Sequence, residues 1–239
     1  RTLPPGRPLA DLSLTALDSY IQLRGPELVR TTLITAIHCI RAFLQDCYRQ
    51  GWLPQRLDQV DLARGFRREL PPRAMPWPLI ERLLESIDRR DRVGRRDHAM
   101  LHLMAHYGLR TGESTYLTLD SINWRARTLT VWQPKTRSTL VLPLHDVTLS
   151  ILDDYLKLAR PPTDLPWLFL RGSAPLAQMT KFAASYMFRT RARRSGLPID
   201  SYSAYSLRHA FAHRLFQRGV GMKAIGDLMG HRNLVSTSV

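Results

Sequence analysis

The chain has 239 residues, 44% of them hydrophobic, which is enough for one large domain or two modest ones with real cores and excludes a disordered tail. Its 35 lysines and arginines against 20 aspartates and glutamates give a formal charge of +15, a balance that opposes compaction unless a polyanion is the working partner, with nucleic acid the first candidate. Apart from Lys135, Lys157, Lys181 and Lys223 the basic residues are all arginine, which suits bidentate phosphate contacts and equally follows from a biased base composition. Cys39 and Cys47 share one helical stretch with no partner cluster at zinc spacing, so neither a disulfide framework nor a metal site is expected, and a reducing cytoplasm is the simpler setting. No apolar run reaches membrane-spanning length and no signal segment occurs, so the expectation is a soluble, internal protein with no membrane partner. Residue 1 is Arg rather than Met, and the sequence reads as a piece of something longer.

Residues 1–8 are rich in Pro and Gly and are expected to be irregular. Helical apolar spacing follows over 9–23 and 28–50, separated by the breaker Gly25-Pro26. In the second of these, Val29, Leu33, Ile37, Ile40, Phe43, Leu44 and Tyr48 repeat at three and four, as in a helix packed on one side. A further short helix over 57–70 ends at Pro71-Pro72, which sets the expected domain boundary: a helical unit over 1–72 and a second unit over 73–239 that carries most of the excess positive charge. The second unit opens with helices over 77–89 and 95–107, the latter turning Leu101, Met104 and Ala105 inward and leaving Arg110 just past its end.

After Ser121 the period changes to two: Leu129, Val131, Leu140 and Leu142 alternate with polar residues around Lys135, predicting an antiparallel strand pair with Lys135 near its turn. A helix over 146–159, a short strand over 168–170 and a basic helix over 178–194 come next. In the last helical stretch Leu207, Phe211 and Leu215 form a buried stripe while Tyr205 and Arg208, three apart, project from a neighbouring face. Gly219 and Gly221 break that helix; Met222, Ile225, Leu228 and Met229 give the next an apolar side, and Gly230 stands where a left-handed helix end presents His231. The fold class expected is mainly α with a small antiparallel β-sheet. No internal repeat is present.

Each polar residue that interrupts this core-forming sequence, Arg110, Lys135, Tyr205, Arg208 and His231, has a bland reading of its own as a cap or a solvated charge. In this order they resemble the tyrosine recombinase (phage integrase) family, whose catalytic domain carries GLR-x-x-E, a hairpin Lys, H-x-x-R and a later G-H. The matching segments are Gly108-Leu109-Arg110-Thr111-Gly112-Glu113, Pro134-Lys135-Thr136, Tyr205-Ser206-Leu207-Arg208 and Gly230-His231. The likeness covers 73–239, and 1–72 is similar to the family's helical core-binding domain.

The resemblance implies site-specific DNA recombination or integration without cofactor or metal. A tyrosine hydroxyl attacks a phosphodiester, giving a 3′-phosphotyrosyl link and a free 5′-hydroxyl. Arg110 and Arg208 would hold the nonbridging oxygens of the crowded anionic state, Lys135 would protonate the leaving 5′-oxygen, and His231 would donate to a nonbridging oxygen. Tyr205 stands where the family most often has His. Its phenol can donate one hydrogen bond to phosphate but, with a reference pKa of about 10, is a poor base near neutrality. His209, about 100° round the helix from Arg208, reads as a packing or polar-core residue. The family's nucleophile falls nine residues past the His of the G-H segment, one place beyond Val239, so the expectation is a chain that stops just before it, binds DNA and forms no covalent adduct by itself.

The further implications are double-stranded DNA as partner, phosphate tracking by Arg189, Arg191, Arg193 and Arg194, a homo-tetramer on two sites when intact, and a cytoplasmic, nucleoid-associated location. Three alternatives share parts of this pattern: a catalytically inactive DNA-binding regulator of the same fold, a type IB topoisomerase-like enzyme, and a basic coating protein.

Overall fold

The computed structural model describes residues 12–28, 30–58, 74–134 and 137–230. The chain divides into two compact units, Arg1–Leu70 and Pro71–Val239. In the first, α1 (Leu14–Arg24) begins at Ser13, whose hydroxyl accepts from the Ala16 amide at 3.2 Å. The Gly25-Pro26 breaker forms a 3-10 turn over Gly25–Glu27, and α2 (Arg30–Arg49) follows. Leu17, Leu44, Cys47, Leu53 and Leu57 make this unit's core, with Leu12, Ile21 and Ile40 packed against it. The expected stripe on α2 needs correcting at two places: Phe43 and Tyr48 are 54% and 42% exposed. The face that closes runs Leu33, Ile37, Ile40, Leu44, Cys47, and both aromatics fall to its sides. Most of the helix expected over 57–70 lies outside the described residues.

In the second unit α3 (Trp77–Glu85) stops four residues short of the expected end, because the Ser86 hydroxyl donates to the Leu83 carbonyl at 2.7 Å and closes the last turn. α4 (Arg92–His106) starts earlier than its apolar pattern suggests, since the Asp91 carboxylate accepts from the Gly94 amide at 2.8 Å and supplies the cap. Every residue from 97 to 105 is buried, so α4 is a central helix rather than one with a single inward face; it packs against α3, α5 (Thr111–Thr115), α6 (Asp146–Leu158) and α8 (Ala204–Gln217).

The sheet has three antiparallel strands in the order β1 (Ile122–Asn123), β2 (Thr128–Gln133), β3 (Ser138–Pro143), with Leu129 opposite Leu142 and Val131 opposite Leu140. The strand pair is therefore a triplet, because a two-residue strand carries no period to read. Residues 168–170 do not form the expected strand: Leu168, Phe169 and Leu170 are buried, and only single bridges join Trp167 to Thr118 and Leu170 to Gln178. A short apolar run is equally consistent with buried coil.

α7 (Lys181–Ser195) begins at Thr180, whose hydroxyl accepts from the Ala183 amide at 3.1 Å, three residues later than expected, and ends at Gly196 in the left-handed region. Leu207 and Ala210 of α8 join the main core. Ala212, with α9 (Met222–Leu228) supplying Ile225 and the following Met229, forms a second cluster against which Phe211, Leu215 and Val220 pack.

Candidate active site

The site is built where α4 ends. Gly108 has φ +63, a conformation costly for residues with a Cβ, and the space is closed as well: a Cβ there would meet Cδ1 of Phe211 at 2.5 Å. The chain reverses through this turn, pressed against α8, so that Arg110 becomes the residue capping α5 rather than a loose charge past a helix end. Its backbone amide donates to Oε2 of Glu113 at 2.8 Å, and its guanidinium pairs with Oε1 of the same carboxylate.

Arg208 reaches the same place from α8. Its Nη1 donates to the Gly108 carbonyl at 2.6 Å and stands 3.5 Å from Oε2 of Glu113, and its Nη2 donates to the Met229 carbonyl. Residues far apart in the chain thus place two guanidiniums on one carboxylate. Arg208 and Glu113 are only 2% and 3% exposed. Burial, then the neighbouring Arg110 charge, pulls the Arg208 pKa down to about 10, and Glu113 opposes that shift. Arg208 remains a cation at neutral pH, held by two carbonyls and one shared anion. Two cations on one carboxylate leave net positive charge, and an incoming phosphate oxygen can complete the balance. Arg110, with its side chain one-quarter exposed, is the member of the pair that solvent reaches.

Tyr205 and Arg208 do not project together as their spacing suggested. Arg208 turns inward, whereas Tyr205 is 52% exposed with its ring edge-on to His209 at 4.5 Å. His209 is half-buried, and burial followed by the Arg208 charge lowers its pKa. It is a packing residue whose contact is Tyr205, four positions back on the same side of the helix. Lys135 and His231 lie outside the described residues. The residues leading to them meet: Gln133, at the end of β2, lies against Gly230 (φ +61) so closely that a Cβ on Gly230 would come within 1.9 Å of its Oε1.

Arg191 is a correction. It is buried, and its Nη2 pairs with Oδ2 of Asp97 at 2.8 Å while Arg96 takes Oδ1 of the same carboxylate at 2.7 Å, so it joins α7 to α4 and has no free guanidinium for phosphate. Arg189, Arg193 and Arg194 are exposed. Glu113 was visible in the sequence as the acid of the GLR-x-x-E segment, but its joining of both arginines was not; an acid three residues after a helix-opening position is the signal that could have suggested it. Among the described residues no group of three or more His, Cys, Asp or Glu could hold a metal ion, and no helix is long and apolar enough to cross a membrane.

Comparisons with known proteins agree with this architecture. Two Sinorhizobium fredii proteins named as integrase/recombinases are similar: y4gC is 39% identical over 147 residues, 61% of this chain and 76% of that protein, and y4rF is 31% identical over 243 residues, 98% of this chain but 56% of that protein. Tyrosine recombinase XerD of Pseudomonas aeruginosa is 30% identical over 207 residues, 84% of this chain and 67% of that protein. The solved Tn1549 transposon integrase in complex with transposon right end DNA superposes with a TM-score of 0.78 at 17% identity, covering 97% of this chain and 81% of that one, which shows a shared fold. The family model of the phage integrases matches residues 79–239, and this chain belongs to the phage integrase family.

Proposed function

We propose that the protein containing this chain breaks and rejoins duplex DNA at specific sites through a 3′-phosphotyrosyl intermediate, with 73–239 as its catalytic domain and 1–72 as a helical core-binding domain. The observation that carries this reading is the convergence of Arg110 and Arg208 on Glu113 in a member of this family. In the reaction a tyrosine hydroxyl loses its proton to water as its oxygen attacks the phosphorus, the bond to the 5′-oxygen breaks, and the leaving oxygen takes a proton. The two guanidiniums neutralise the nonbridging oxygens as negative charge builds. Lys135 is assigned the proton donated to the 5′-oxygen, and His231 a hydrogen bond to a nonbridging oxygen. Tyr205 is assigned a hydrogen bond to phosphate in place of the family's usual His, and its exposure supports that assignment. No tyrosine within 1–239 is assigned as nucleophile, so this chain by itself is expected to bind DNA without forming an adduct. Duplex DNA as the partner, and a tetramer on two sites, complete the proposal.

The test is covalent capture. A gene product containing residues 1–239 is incubated with a nicked duplex carrying its site, and protein–DNA adducts are counted on denaturing gels. Adducts are expected with the parent and a loss of about 100-fold or more with Arg110→Ala or Arg208→Ala, the scale of removing one donor to a developing anion. Equal adduct yields from parent and both variants would refute the assignment. On an intact supercoiled plasmid carrying the site, relaxation without exchanged strands would favour a topoisomerase, and site-specific binding without any adduct on either substrate would favour a regulator.

A further inference from the structure

The inward positions of β2 read Leu129, Val131, Gln133, so the strand's last core-side place is held by an amide instead of a third apolar group. Gln133 is 2% exposed. Burying a primary amide costs free energy that Leu or Met in the same space would not, so packing alone gives no reason for it. Its surroundings do. Ser138, opposite it in β3, donates from its hydroxyl to Oε1 of Gln133 at 3.4 Å. From the other side comes Gly230: a Cβ there would overlap Oε1, Nε2 and Cδ of Gln133, so the bare Cα, with φ of +61, leaves the room that the amide fills.

This contact joins parts of the site that are far apart in the chain. On one side of Gly230 the Met229 carbonyl accepts from Nη2 of Arg208, so the turn that receives Gln133 is also the turn that holds the buried guanidinium. His231 is next in the chain on the other side. Lys135 comes two residues after Gln133, and two peptide units reach about 7 Å at most. Fixing Gln133 against the turn therefore limits, through the covalent chain alone, how far the backbone of the lysine can stand from the groups that hold Arg208.

We propose that Gln133 is a positioning residue: its amide seats the hairpin against the Met229-Gly230 turn, so that Lys135 delivers its proton to the 5′-oxygen of the same phosphate that Arg208 holds. This deepens the function proposed above and rests on its assignment of Lys135 as proton donor.

The experiment separates proton delivery from the other steps by changing the leaving atom. The gene product containing residues 1–239 is given its nicked site with either the normal 5′-oxygen or a sulfur in that bridging position at the scissile phosphate. A thiol ionises near pH 8.5, at about 8.5 against about 16 for a water-like hydroxyl, so when the bond from phosphorus to sulfur breaks the sulfur leaves as thiolate and needs no proton. Rates of adduct formation are measured for the parent, Lys135→Ala, Arg110→Ala, Gln133→Met, which keeps the side-chain length, and Gln133→Asn, which keeps the amide but draws it back by one methylene. Thermal melts and site affinity identify the variants that fold and bind, and either folded Gln133 variant serves. Lys135→Ala should slow the oxygen substrate about 100-fold or more, and the Gln133 variants about 10-fold or more. Sulfur should return all of these to near the parent rate while Arg110→Ala stays slow on both substrates. A Gln133 variant that loses nothing on oxygen, or loses equally on oxygen and sulfur, overturns the assignment to Gln133 and leaves the DNA reading intact. A Lys135→Ala variant that sulfur does not recover overturns the proton-donor assignment and this inference with it.

Discussion

α4 stacks three histidines along one side: His98 and His102 with ring centroids 6.2 Å apart, then His102 and His106 at 4.2 Å. Nε2 of His102 lies 3.0 Å from the Thr148 hydroxyl, which in turn accepts from the Tyr107 phenol at 3.0 Å, so the hydroxyl proton is left to donate to a neutral imidazole. Burial, then Arg89, pushes the His98 pKa down to about 4; burial, then His106, pushes that of His102 down to about 3. In the unfolded chain both return to about 6.5. Below that pH the unfolded state binds more protons than the native one, so stability falls as pH falls toward the native values. At pH 5 each imidazole is still neutral when folded and protonated when unfolded, a gap of about 1.5 pH units, or about 2 kcal/mol each and about 4 kcal/mol together. That is a large part of the roughly 5–15 kcal/mol total stability of a typical domain. Urea titrations at pH 7, 6 and 5 read it directly. His98→Leu and His102→Leu should each recover about 2 kcal/mol of the loss between pH 7 and 5, with carboxylate contributions cancelling in the comparison. An unchanged pH dependence in both variants would refute the account.

Replacing Glu113 by Ala leaves two guanidiniums facing each other with Arg208 buried, and should cost about 3 kcal/mol or more in urea unfolding; an unaltered midpoint would show that the carbonyls of Gly108 and Met229 suffice. Gly108→Ala combines the left-handed backbone cost of about 1–2 kcal/mol with overlap against Phe211, so adding Phe211→Leu should restore part of the loss in a thermal melt, and no restoration would argue against the contact. Asp97→Ala strands Arg96 and Arg191 and should destabilise by about 3–5 kcal/mol, whereas Asp88→Ala, which breaks the exposed pair with Arg90, should leave the melting temperature unchanged.

Most of the helical order was legible because periodicity at three and four is a local property, and the errors came where local rules stop. Capping by Asp91 and Thr180 moved helix starts, and a two-residue strand was too short to show a period. The buried run 168–170 had composition without pattern. Arg191 illustrates the same limit on charge: among the basic residues of its helix it looked like its neighbours, and only the approach of Asp97 from α4 removed it from the surface.

The sequence by itself determined the family, the mainly helical class, and which arginines sit at special places, because motif spacing and turn chemistry are written along the chain. Only the tertiary structure decided what those arginines do to one another. Residues 110 and 208 are separated by nearly a hundred positions, and their meeting at Glu113 depends on how α4, α5 and α8 pack. Burial likewise turned Arg208 inward and Tyr205 outward, although helical spacing placed them on one side. Spacing sets direction around a single axis; exposure and charge balance are set by what the other helices bring to that axis.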